Sequence, residues 1–416
     1  MTRALALIDG EHYAPVVRAA LAELPYDFVA AHVVGGTEKL RDASDYGVAL
    51  AGDLDVALAE HRPELVVDLS DEPVLGPRER FRLASRVLAA GLPYVGADFR
   101  FDPPELEPFP LPSIGIVGTG KRVGKTAITA HAARLYARER KVVVVAMGRG
   151  GPPEPEVARV APDVDALLEL SRAGRHAASD YLETAALAGV ETVGCRRCGG
   201  GLAGAVSVSN VHAGARLAAA LEPDLVVFDG SGAAIPPVAT SRRVLVVNAG
   251  QDPEVVTGYL NGFRHLISDL VVLTMAEAGS GWETLRERAA ELAPKVVPVT
   301  LRPRPVQDVR GRSVAFFSTA PAAAHALLAD HLRETHGVEV VHVSGSLADR
   351  RRLREELERV EADVYLVELK AAAIDVVAET ARERGAEVVL AGSDVVAADG
   401  SDLDAELLRL AAEASA

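Results

Sequence analysis

Cysteine is nearly absent: in 416 residues only Cys195 and Cys198 carry thiols, which excludes a disulfide framework and leaves one isolated C-x-x-C. Aromatic residues make up 4% of the chain, so Ala, Val and Leu carry most of a hydrophobic fraction of 49%. That balance suits packed helices and parallel strands. No uninterrupted apolar stretch is long enough to span a bilayer, and the run from Met1 to Ile8 meets Asp9 too early for a secretory core. The expectation is a cytoplasmic chain with no membrane anchorage. Positive charge is short as well. At a formal net charge of −15, the chain lacks the clustered Lys and Arg with which a general nucleic-acid binder displaces counterions. Lysine is the scarcer basic residue, so Lys121, Lys125 and Lys370 stand out.

The length exceeds one ordinary core and calls for two or three domains. From Met1 to Asp98, short apolar runs (Ala4 to Ile8, Phe28 to Val34, Leu65 to Leu69, Tyr94-Val95) alternate with helical spacing, which predicts a small α/β domain over 1–98. Residues 99–112 follow as a semi-rigid linker, with five prolines between Asp102 and Pro112. Over 113–305, strand candidates Ile114 to Val117, Lys141 to Ala146, Asp224 to Phe228, Val244 to Val247, Leu270 to Thr274 and Val296 to Thr300 read as a doubly wound, mostly parallel sheet. Residues 306–416 repeat the alternation as a smaller α/β unit.

The sharpest motif is Gly118-Thr-Gly-Lys-Arg-Val-Gly-Lys-Thr126, which follows the apolar run Ile114 to Val117 and opens a helix-compatible stretch. In that order, backbone N–H groups and a helix N-terminus converge on phosphate, Lys125 reaches terminal phosphates and Thr126 is free to ligate Mg²⁺. A nucleotide, ATP or GTP, is the expected ligand, on a fold of the P-loop NTPase type. The loop is a variant: the usual first glycine would fall at position 119, where Thr119 stands, and Gly118 precedes it. The spacing resembles the loop of dethiobiotin synthetase and its relatives. Gly118, Thr119, Gly120, Lys121, Arg122, Val123, Gly124, Lys125 and Thr126 are therefore the candidate nucleotide contacts.

Other residues fall where ligands of such sheets sit, beyond the strand ends. Leu225-Val-Val-Phe-Asp229, followed by Gly230-Ser-Gly232, ends an apolar strand in a carboxylate. Asp229 there either supports Mg²⁺ beside the loop or caps the next turn. Arg149, flanked by glycines, either grips an anion bidentately or decorates a turn. Gly194 to Gly204 gathers five glycines with Arg196, Arg197 and both cysteines. Its predicted form is a loop approaching an anion, ranked above a zinc site, which needs about four ligands, or a redox pair. His12, at the end of the first strand, is an acid/base or phosphate-donor candidate, or a structural hydrogen-bonding residue. Arg302, Arg304 and Lys370 sit at predicted domain edges, as ligand cations or as solvated ion pairs.

Taken together, Leu7-Ile-Asp-Gly-Glu-His-Tyr13, Gly118 to Thr126, Asp229-Gly-Ser-Gly232 with Pro236-Pro237, Arg302-Pro-Arg-Pro305 and Glu368-Leu-Lys-Ala-Ala-Ala-Ile-Asp375 resemble the cyclic 2,3-diphosphoglycerate synthetase family over almost the whole chain. The resemblance implies an ATP- and Mg²⁺-dependent ligase that joins the two phosphates of 2,3-diphosphoglycerate through an intramolecular phosphoanhydride, releasing ADP and phosphate. It implies that Lys125 holds the β- and γ-phosphates, that Thr126 and Asp229 support Mg²⁺, and that Lys121 or Arg122 offsets charge on the transferred group. It casts His12, Arg149, Arg196, Arg197, Arg302, Arg304 and Lys370 as contacts to the small-molecule substrate. A homodimer is compatible with it. A dethiobiotin-synthetase-like ligase, a small-molecule kinase and a nucleotide-switched binding ATPase are the alternatives.

Overall fold

The computed structural model describes residues 1–36, 38–39, 45–174, 177–369 and 373–416. Two α/β sheets dominate. The amino-terminal sheet has six strands in the order Leu50–Ala51, Tyr26–Gly35, Thr2–Asp9, Leu65–Asp68, Tyr94–Val95 and Arg100–Phe101, all parallel except the last. Thr2–Asp9 lies in its middle and is buried from Ala4 onward, which is why its sequence is apolar without alternation. Helix Pro77–Ala89 opens with the proline at its first turn, where no N–H is needed. It packs against helix Asn261–Leu266 of the second sheet's layer, and the Ser85 hydroxyl donates to the Tyr259 carbonyl at 3.0 Å.

The linker is tacked down at both ends. Phe99 stacks on Tyr94 and on Phe101, with 5.6 Å between ring centres in each pair, and Phe109 meets Phe228 edge-on at 5.0 Å. Glu107–Pro108 pairs with Val238–Ala239 as a separate two-stranded ribbon, an edge position that tolerates proline.

The main sheet has 13 strands among the described residues. Its first part runs Glu156–Ala158, Glu191–Cys198, Val142–Gly148, Leu225–Asp229, Ser113–Gly118, Arg242–Asn248, Leu270–Thr274 and Val296–Pro305. From Glu191–Cys198 to Val296–Pro305 every neighbour is parallel. Ser113–Gly118 is central and wholly buried.

Beyond residue 305 the chain does not start a new sheet. Val296–Pro305 pairs antiparallel with Glu387–Ala397, and Val364–Glu368, Ser313–Phe317 and Glu339–Ser344 continue in parallel from there. One hydrophobic core runs from Ile114 and Ile128 through Val299 to Tyr365 and Leu410. The last helix, Leu403–Ala414, returns to pack on Ser113–Gly118 and on helix Lys125–Tyr136. The antiparallel junction reverses strand direction, so the carboxyl ends of the two parallel sets point toward each other across the level of residues 299–305.

Candidate functional site

Strand Ser113–Gly118 delivers the glycine loop to that level, and helix Lys125–Tyr136 leaves from it. The loop is shaped by close contact. A Cβ on Gly118 would stand 2.9 Å from Val123 Cγ2 and 3.1 Å from the Gly232 carbonyl, so only glycine fits. Gly124 has φ +79° and would thrust a Cβ to 2.8 Å from Leu301 Cδ1. Neighbouring strand ends pin the loop backbone. The Thr274 hydroxyl donates to the Val123 carbonyl at 2.7 Å, Asn248 Nδ2 to the Arg122 carbonyl at 3.2 Å, and Thr119 N–H to the Val246 carbonyl at 3.2 Å. Arg122 adopts φ +58°, a left-handed conformation that costs roughly 1–2 kcal/mol outside glycine. Lys121 and Arg122 are exposed, and Thr126 is half-buried on the first helical turn. The Thr119 hydroxyl is buried without a partner.

Asp229 closes strand Leu225–Asp229 directly beside this loop and is 1% exposed. Its Oδ1 accepts from Lys125 Nζ at 2.5 Å and from Thr129 Oγ1 at 2.8 Å. Burial pushes the Asp229 carboxyl above its ordinary range, the Lys125 ammonium and the Thr129 hydroxyl oppose this, and the Asp180 charge adds to it. The Asp229 carboxylate at the strand end and the Thr126 hydroxyl on the first helical turn are oxygen donors of the kind that Mg²⁺ takes.

Asp180 escaped the sequence reading. It opens helix Asp180–Ala188, and its Oδ2 lies 2.8 Å from where a Cβ on Gly148 would stand, at the end of strand Val142–Gly148. Its charge is felt at both Asp229 and Arg197. Ser179-Asp180 looks like an ordinary helix start, and no spacing ties it to the loop.

The run from Gly194 to Cys198 is not the expected loop but the end of strand Glu191–Cys198, paired with Val142–Gly148 on one side and Glu156–Ala158 on the other. Glycine, cysteine and arginine dilute its β-branched signal, and burial between two strands overrides propensity. Alternation then separates the thiols. Cys195 is buried in an apolar cluster, where burial raises its thiol to about 12, whereas Cys198 is exposed. Arg197 reaches across to the turn after Asp229. Its Nη2 donates to the Ser231 carbonyl at 2.9 Å and its Nη1 to the Gly199 carbonyl at 2.8 Å, while Nε is buried and unpartnered. Burial, then the Arg149 charge, lowers the Arg197 pKa. Arg149 and Arg196 are exposed, and among the described residues neither side chain has a hydrogen bond or ion pair.

The other candidates are engaged elsewhere. Arg302 clasps Glu277 bidentately, both contacts at 2.7 Å. Arg304 is half-buried with its Nη2 on the Leu187 carbonyl at 3.3 Å, and burial lowers its pKa. His12 sits between Asp9, at 2.7 Å, and Asp71, at 3.4 Å. Lys370 lies outside the described residues.

Comparison with known proteins matches three segments of the chain. Residues 3–102, 113–299 and 305–394 match the amino-terminal, P-loop and carboxyl-terminal domains of cyclic 2,3-diphosphoglycerate synthetase. The chain is 54% identical to the synthetase of that name from Rubrobacter xylanophilus, over 98% of this chain and 97% of that one. It is 40% identical to the one from Methanothermus fervidus, over 95% and 94%. With the one from Pyrococcus horikoshii it shares 42% identity over 98% and 96%.

Proposed function

The chain belongs to the cyclic 2,3-diphosphoglycerate synthetase family, and from that membership we propose that it closes 2,3-diphosphoglycerate into its cyclic form using ATP and Mg²⁺. It is an enzyme of the ligase type, with a nucleotide-binding P-loop domain and a small-molecule substrate. The family matches do not favour the other ligase, kinase or binding-ATPase alternatives.

One observation carries the proposal: a buried carboxylate, Asp229, is held by Lys125 at the mouth of the loop, with Arg197, Arg149 and Arg196 at the neighbouring strand ends. The reaction sets anion against anion, so alignment and charge neutralisation dominate its barrier. In our reading an oxygen of one substrate phosphate attacks the γ-phosphorus of ATP, and the bond to the β-phosphate oxygen breaks, releasing ADP. An oxygen of the second substrate phosphate then attacks the phosphorus that carries the new group. The ring anhydride forms as inorganic phosphate leaves.

Lys125 serves this by exchanging or sharing Asp229 with the β- and γ-phosphates. The loop and helix N–H groups hold the same phosphates, and Lys121 and Arg122, both exposed, face the transferred group. Bound Mg²⁺ would supply Lewis-acid charge to the phosphate oxygens, held by Thr126 and Asp229. Arg149, Arg196 and Arg197 bind the substrate's phosphates and carboxylate, and Arg302 joins them by giving up Glu277. No helix among the described residues is long and apolar enough to cross a membrane; we place the reaction in the cytoplasm because its substrates are ATP and a phosphorylated metabolite.

Phosphorus NMR of the purified protein with ATP, Mg²⁺ and 2,3-diphosphoglycerate tests this directly. The expected result is a cyclic anhydride resonance growing in step with ADP. ADP release with unaltered diphosphoglycerate resonances would overturn it.

A further inference from the structure

Past the antiparallel junction, His331 and His336 of helix His325–His336 and Asp394 of strand Glu387–Ala397 bring one ligand atom each within 4.8 Å of one another. We propose that these three side chains form a binding site for a divalent ion of the zinc class, a role separate from the phosphate-loop chemistry.

The geometry is that of a partial tetrahedron. Asp394 Oδ2 lies 3.1 Å from His331 Nε2 and 3.0 Å from His336 Nε2. An ion with bonds of about 2.0–2.1 Å in tetrahedral coordination separates its ligand atoms by roughly 3.3 Å, so a shift of a few tenths of an ångström admits it. The two imidazole rings stand edge to face, 5.6 Å apart and at 71°, which lets both Nε2 atoms aim at one point. Thr335 Oγ1 lies 3.3 Å from His331 Nδ1. As an acceptor it keeps the proton on Nδ1 and the lone pair on Nε2, the outer support that ligating histidines use. Side-chain exposures of 14%, 20% and 27% leave one open side, enough for water to complete the coordination.

The donor set selects the ion. Two imidazoles and one carboxylate suit Zn²⁺, Co²⁺, Ni²⁺ or Cu²⁺ rather than Mg²⁺ or Ca²⁺, which prefer oxygen throughout. Arg134 and Arg304 lie close enough to interact with the Asp394 charge. They oppose a further cation, so affinity must come from imidazole–metal bonding rather than from charge alone. A bound ion would tie helix His325–His336 to the strand whose Asp394 is the register partner of Arg302.

The test uses the full-length, metal-stripped protein with excess Mg²⁺, so that oxygen-ligand sites are filled. Titration with Co²⁺ or Zn²⁺ is expected to saturate at one ion per chain with micromolar or tighter Kd. His331→Ala, His336→Ala and Asp394→Asn should each weaken binding at least tenfold, and Thr335→Ala less. Cu²⁺ bound to the unaltered chain should show electron paramagnetic coupling to two imidazole nitrogens, a readout that does not depend on a variant folding. No saturable binding below millimolar metal, no nitrogen coupling, or full affinity in the folded histidine variants would each overturn the site.

Discussion

Asp9 and Asp229 occupy the same kind of position and have opposite electrostatics. Each ends a buried parallel strand, precedes a glycine and is 1% exposed. Burial pushes the Asp9 carboxyl up, but N–H groups of Asp71 at 2.8 Å and Glu11 at 3.0 Å, with His12 at 2.7 Å, outweigh it and leave the group below its ordinary range. Among the described residues Asp229 receives Lys125 and Thr129, both on one oxygen, and its carboxyl stays above the ordinary range. The first carboxylate is satisfied and holds a loop in shape. The second has fewer donors around it, and in the proposed mechanism it supports Mg²⁺. Strand-end position alone therefore does not make an Asp a ligand; what matters is how many donors the surrounding loops already provide.

The comparison is strained most by removing the cation that Asp229 does have. Lys125→Ala is expected to lower turnover about 10³-fold, or roughly 4 kcal/mol in the barrier, with circular dichroism unchanged. Turnover near wild type in a steady-state assay would put the phosphate site elsewhere. Asp229→Asn should cost about 10²-fold in kcat, roughly 3 kcal/mol, and raise the Mg²⁺ concentration needed for half-maximal rate. Asp9→Asn should leave the Mg²⁺ dependence untouched and instead lower stability to denaturant by about 1–3 kcal/mol, since it disrupts satisfied buried hydrogen bonds. Equal Mg²⁺ profiles for the two variants would erase the distinction.

A third buried group shows how burial alone acts. His265 is fully enclosed, with Nε2 at 3.0 Å from the Val256 carbonyl, and burial lowers its pKa to about 4 from 6.5. Between those values the unfolded chain takes up a proton that the folded chain refuses. Stability is therefore present above pH 6.5 and lost as pH falls toward 4, by about 3 kcal/mol. Denaturant titrations across that window should show the slope, and His265→Gln should flatten it. The smallest effect concerns substrate. Arg149→Ala should raise KM about tenfold, roughly 1.4 kcal/mol, whereas Arg302→Ala, whose side chain must first leave Glu277, should change it by less. The reverse order would move the substrate toward the antiparallel junction.

The continuous Val, Ile and Leu runs made the central strands legible, because a strand buried on both faces needs no polar alternation. The glycine loop was legible because few sequences combine that strand, those glycines and Lys125-Thr126. Strand Glu191–Cys198 was not, since its β-branched start, Thr192-Val193, is followed at once by Gly194, Cys195, Arg196 and Arg197, which break the signal. Nor was the continuity of the sheet past Pro305: Arg302-Pro-Arg-Pro305 lies where the family's P-loop and carboxyl-terminal segments meet, yet it also ends a long strand whose antiparallel partner lies some 90 residues later.

Local chemistry in the chain determined the phosphate-binding loop, the α/β class and the family, because each rests on residues adjacent in sequence or on a periodic apolar pattern. Only tertiary structure decided which charges are available. Glu277 takes Arg302, Asp71 takes His12, Asp180 approaches Gly148, and His331 meets Asp394, in each case because chain folding brings distant residues within a few ångströms. Coulomb and hydrogen-bond energies fall steeply with separation, and separation in space is not written in local sequence.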